Sequence, residues 1–145
     1  MLIDTRTTFA WATAFPGIAG LAGTAKIGDA LDLSVVSDMG EGYPMYLVIQ
    51  MSTAAAGGTS AAFNLVTADN EALTTNPVTL FSTGPIVTAS LILNASVIVI
   101  AIPKADYKRW LGLTITEVGN FTTGAIRAFL TQDPPAWRAY AEGLN

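Results

Sequence analysis

From Tyr107 to Gln132 the chain reads YKRWLGLTITEVGNFTTGAIRAFLTQ, and the apolar residues of its first half return at every second position. Successive side chains of a strand point to opposite faces, whereas a helix would need a period of 3.6, so this stretch is committed to β structure. Arg109, Leu111, Leu113, Ile115 and Glu117 fall on one side, and Trp110, Gly112, Thr114 and Thr116 on the other. Val118-Gly119-Asn120 supplies turn chemistry, because Gly and Asn tolerate positive φ, and Phe121 to Thr131 alternates again. The pattern predicts a closing β-hairpin.

The rest of the chain follows the same rule. Strand-like runs are expected at Lys26–Val36, Tyr43–Thr53, Ala61–Ala68, Val78–Phe81, Ile86–Leu93 and Val97–Ile102. Glycine, proline and asparagine punctuate them every eight to twelve residues, and no amphipathic helix is apparent before residue 134. Eight or nine such strands make an all-β sandwich or barrel. Tyr43–Thr53 is apolar at nearly every position, as in a strand covered on both faces. Residues 1–25 read as an extended N-terminal arm whose aromatics, Phe9, Trp11 and Phe15, lie either on its own domain or on a neighbouring subunit. The β-sandwich domain is assigned to 26–133. After Pro134-Pro135 a tail, 134–145, carries Trp137, Tyr140 and Leu144 at helical spacing and reads as a hook or short helix.

Composition narrows the function. The 145 residues suit one domain with a core of its own. Charged side chains are 12% of the chain, about half the ordinary share, while apolar ones reach 51%. So little charge suits a chain that buries much of its surface against other protein, including copies of itself. The net charge is −4 and the basic residues are scattered, so binding to nucleic acid through its backbone is not expected. Asp4 beside Arg6, and the breaks at Pro16, Gly17 and Gly20, argue against a signal peptide. The uncharged run Pro85–Pro103 is rich in β-branched residues and broken at Asn94-Ala95-Ser96, so it reads as two strands and not as a membrane helix.

There is no cysteine and no histidine, which removes thiolate and imidazole chemistry, the commonest general base and the commonest metal ligands. The three lysines, Lys26, Lys104 and Lys108, sit in no Ser-x-x-Lys pattern. Asp38 and Glu41 place two carboxylates in one short loop, too few for a calcium site. The chain is therefore expected to be non-catalytic, without metal or cofactor.

Three blocks carry a likeness to a known family. They are the start MLID with Phe9; Asp38-Met39-Gly40 through Tyr43-Pro44-Met45-Tyr46-Leu47-Val48-Ile49-Gln50; and Lys108-Arg109-Trp110-Leu111-Gly112-Leu113 with Gly119, Phe121-Thr122 and Gly124-Ala125-Ile126. Together they resemble the capsid cement (decoration) proteins of short-tailed phages, the family of the Bordetella phage cement protein. The resemblance implies a jelly-roll subunit, a homodimer or homotrimer, on the outer surface of the virion. There it would clamp neighbouring copies of the major capsid protein. The small-residue insert near Gly17–Ala25 and the tail after Pro134 depart from the family pattern.

On this reading a rigid sandwich carries its contacts on the arm (Phe9, Trp11, Phe15), the loop 38–43 (Met39, Tyr43) and the tail (Trp137, Tyr140). Deleting residues 1–15 is then expected to leave a folded domain that no longer binds shells. The rival reading is a carbohydrate-binding, lectin-like sandwich, for which Trp11, Trp110 and Trp137 would have to form an exposed aromatic platform.

Overall fold

The computed structural model describes residues 7–19, 23–33, 45–103 and 105–132. Nine strands are found there: β1 (Thr8–Ala14), β2 (Thr24–Asp32), β3 (Tyr46–Ala56), β4 (Ser60–Ala68), β5 (Val78–Ser82), β6 (Ile86–Val87), β7 (Ser96–Ala101), β8 (Trp110–Val118) and β9 (Thr123–Thr131). Short 3-10 turns occupy Pro16–Ala19 and Thr88–Ser90. One sheet has the order β1-β9-β3-β7 and the other β2-β8-β4-β5, with the two-residue β6 paired to β4. All pairings are antiparallel. The two sheets pack face to face, and their strand order is that of a jelly roll.

The expected closing hairpin does not form. β8 pairs with β2 and β4, while β9 pairs with β1 and β3, so the turn after Val118 carries the chain from one sheet to the other. The alternation fixes which side chains face inward: Leu111, Leu113 and Ile115 from β8, and Ile126, Ala128 and Leu130 from β9, all in one core. It does not fix the neighbouring strand. These two inward rows are apolar enough to face each other across a core, which an arch between sheets permits and a hairpin does not.

A second arch, Gly57-Gly58-Thr59, joins β3 to β4 in the same manner, and the two arches lock together. Thr59 N donates to Val118 O and Thr122 N to Ala56 O, both at 2.8 Å. Gly58 lies under the Phe121 ring, where a Cβ would come within 2.3 Å of it. Only a residue without a side chain lets the ring seal this corner.

The arm is also revised. Its described residues include β1, an edge strand on β9, and Phe9 and Phe15 are each 1% exposed within the core. β1 manages this with two bulges. The first lies between Thr8↔Phe129 and Ala10↔Ala128 and lets the consecutive residues Phe9 and Ala10 both face inward. The second sets Trp11 and Ala12 against the single residue Arg127. Phe15 meets Phe63 and Phe121 edge to face, with ring centroids at 6.0 and 5.3 Å. The sandwich therefore includes Thr8–Ala14, and a deletion of 1–15 would remove a strand and two core rings.

Ile86–Leu93 is not one strand. After Val87, Thr88 donates through Oγ1 to Gly58 O and its own carbonyl accepts from Leu91 N, which coils the chain. Leu91 is buried, and Ile92 and Leu93 are left outside. β3 is covered on both faces as its composition predicts. Leu47, Ile49 and Met51 enter the core, while Val48 and Phe129, paired on the opposite face, are buried too.

Candidate protein-contact surface

Charge is segregated along the sandwich. At one end Asp32 meets Arg109 at 3.1 Å and Asp69 meets Lys108 at 3.9 Å, with Glu71 and Asp106 in the adjoining loops. The other end is built from the two arches, the 3-10 turn Pro16–Ala19 and the loop 88–95. Ala55 N donating to Leu91 O and Asn94 N donating to Met51 O hold that loop along β3. Among the described residues of this arch end, Glu117 is the single charged side chain, and it is buried.

Large aliphatic side chains take the place of charge. Ile92 (59% exposed), Leu93 and Val87 (58% each), Val118 (53%) and Ile18 all stand in solvent at the arch end. Ser60 pairs with Val87 on one side and Val118 on the other, which brings those two to either flank of β4. An uncharged end with five exposed aliphatics has the composition of a protein-binding patch.

Glu117 braces that end from within. It continues the inward row of β8, and Oε1 accepts the Gly17 N–H at 2.9 Å while Oε2 has no partner among the described residues. Gly17 sits directly on the carboxylate: a Cβ there would be 1.9 Å from Oε2. Burial pushes the Glu117 carboxyl above its ordinary value, and the Gly17 N–H opposes the rise. Lys26, on the neighbouring β2, lies opposite Thr114 in the outward row. The carboxylate thus pins the 3-10 turn that presents Ile18.

A second feature lies on the outer face of the β1-β9-β3-β7 sheet. Trp11 is 55% exposed and stacks on Arg127, whose Cζ is 5.2 Å from the indole centre. Beside it Thr8, Phe9, Ala10, Trp11, Thr13 and Asp29 line a depression of about 300 Å³.

The residues expected to make contacts separate in the structure. Phe9 and Phe15 are core, and Trp11 is on the surface. Met39, Tyr43, Trp137 and Tyr140 lie outside the described residues. Trp110 is half-buried against Val66, Ala68 and Leu73, so of the three tryptophans offered as a sugar platform only Trp11 is exposed among the described residues. Ile92, Leu93, Val87 and Val118 were missed because their apolar alternation reads as core. For Val87, Ile92 and Leu93 the signal is the absence of any Asp, Glu, Lys or Arg from Ala72 to Pro103, more than a fifth of the chain; Val118, next to Glu117, carries no such mark.

A comparison with curated proteins gives no match. The model of the Bbp16 family, a phage protein family, matches residues 19–130. That span covers β2 to β8, all of β9 but its last residue, both arches and most of the uncharged end, and by it the chain belongs to the Bbp16 family.

Proposed function

We propose that this protein is a non-catalytic structural component of the phage virion. It binds the outer surface of the capsid and cements neighbouring major capsid protein subunits. The observation that carries the reading is the uncharged arch end with Ile18, Val87, Ile92, Leu93 and Val118 exposed. Membership of a phage protein family and the jelly-roll order support it. Such contacts gain from desolvating aliphatic surface, roughly 25 cal/mol per Å², and are little affected by salt. Many copies on a fixed lattice add avidity to a modest single contact. Major capsid protein and further copies of this chain, as homodimer or homotrimer, are the partners; nucleic acid, membrane and cofactors have no part.

The test is co-sedimentation with purified phage heads lacking the protein, together with the light-scattering mass of the free protein. Binding in a fixed stoichiometric ratio is expected, and most of the binding should survive high salt. The double variant Ile92→Asp, Leu93→Asp should stay folded, since both side chains are exposed, and lose most of its occupancy. A wild-type chain that fails to pellet with heads would overturn the cementing role, and a double variant that decorates fully would remove the arch end from it.

A further inference from the structure

Among the described residues Arg127 is a cation without a counterion. The ion pairs there are Asp32–Arg109 and Asp69–Lys108, and no described acceptor takes a hydrogen bond from the Arg127 guanidinium. Its Nε–H is shut away from water with no described group to donate to. Arg127 as a whole is half-buried, so an incoming anion would meet the terminal nitrogens of the guanidinium and not Nε. Gln50, directly opposite across β3, is uncharged.

The backbone is arranged to place an aromatic on this cation. β1 sets Trp11 and Ala12 against Arg127 alone, and Ala12 takes φ 53°, a left-handed conformation that a residue with a Cβ adopts at a cost. The bulge aims the indole at the guanidinium and leaves it 55% exposed, a large apolar ring held in solvent. Tryptophan and arginine are the residues most enriched where protein interfaces concentrate their binding energy.

From this geometry we propose that Trp11 and Arg127 form a receptor for one acidic side chain, an Asp or Glu carboxylate, on the surface of a partner protein. The planar guanidinium matches a carboxylate fork, and the indole offers apolar cover for the methylene stem behind it. One arginine in a chain of net charge −4, with Asp29 beside Trp11, suits a single compact anion and not a polyphosphate backbone. The site lies on the outer face of one sheet, away from the uncharged arch end. It gives the protein a salt-sensitive contact beside a salt-insensitive one. It rests on the proposed function only in taking the partner to be a capsid subunit.

Two measurements test it. In nitrogen-labelled full-length protein, tetraglutamate should shift the Trp11 indole N–H and the Arg127 Nε–H resonances to saturation, and tetralysine should not. Arg127→Gln should abolish the response, Arg127→Lys should weaken it several-fold, and Trp11→Ala should weaken it without loss of fold. Resonances that stay still in millimolar tetraglutamate, or an equal response in Arg127→Gln, would overturn the site. On phage heads, Arg127→Gln should bind several-fold more weakly than wild type at low salt, and the gap should close at high salt. Equal occupancy of wild type and Arg127→Gln would also overturn it. If wild type ignores heads altogether, the cementing role falls, and the tetraglutamate result alone decides the site.

Discussion

Replacing Phe15 with alanine separates a detachable arm from a structural strand. Phe15 is 1% exposed, packs edge to face on Phe63 and Phe121, and ties its own backbone N–H to Gly124 O at 3.0 Å. Truncating a buried Phe to Ala costs about 3–5 kcal/mol, and two aromatic pairs at these distances place this one in the upper half of that range. Unfolding entropy near 60 °C is roughly 2.1 cal/mol/K per residue, hence about 0.3 kcal/mol/K for 145 residues. A loss of about 4 kcal/mol therefore lowers Tm by roughly 13 °C. Differential scanning calorimetry measures this directly, with Trp11→Ala on the same strand as the exposed control, expected to move Tm by less than about 2 °C. A Phe15→Ala variant that melts within about 2 °C of wild type would refute the argument, since residues 8–15 would then be peripheral.

Two further perturbations probe the packing. The raised carboxyl of Glu117 means the folded protein keeps a proton that the unfolded chain has released above an ordinary Glu pKa of about 4.3. Its contribution to stability is thus largest in acid and falls as pH climbs toward the folded-state value. Urea midpoints of wild type relative to Glu117→Gln should be higher at pH 4 than at pH 7, and a difference that grows with pH would contradict the burial argument. Gly28 (φ 74°) and Gly84 (φ 70°) share a backbone conformation, but a Cβ on Gly28 would lie 2.1 Å from the Phe9 carbonyl oxygen, while Gly84 faces open space. Gly84→Ala should cost about 1–2 kcal/mol and Gly28→Ala roughly 2–4 kcal/mol, read from urea melts. Equal costs would deny the β1–β2 contact.

The sequence was explicit about faces and silent about neighbours. Alternation in β8 correctly put Leu111, Leu113 and Ile115 on one side, and even Glu117, whose inward place a polarity rule alone would have rejected. It was blind to the difference between a hairpin and an arch, because Val118-Gly119-Asn120 offers the same turn chemistry to both. β1 was misread because two bulges destroy its period: Phe9 and Ala10 point inward in succession, and Trp11 points out toward Arg127. Ile86–Leu93 failed for a local reason, since the Thr88 hydroxyl finds the Gly58 carbonyl and coils the run. The exposed pair Ile92 and Leu93 carries no mark of exposure in its own letters, only in the lack of charge around it.

The pairing of β1 with β9 sets a clock on biosynthesis. Roughly a hundred residues of chain separate the two strands, and at 5–20 residues per second the ribosome needs about 5–20 s to deliver the second. Through that interval Phe9 and Phe15 have no sheet to join, and the half-built sandwich offers the open edge of β3 to any strand nearby. β2 waits in the same way for β8. In this protein the cores of both sheets close from the C-terminal side, so a truncated or stalled chain is a sticky one. Fragments that end before Thr123 are therefore expected to aggregate ahead of the full-length chain, which expression of truncated and full-length chains side by side would check.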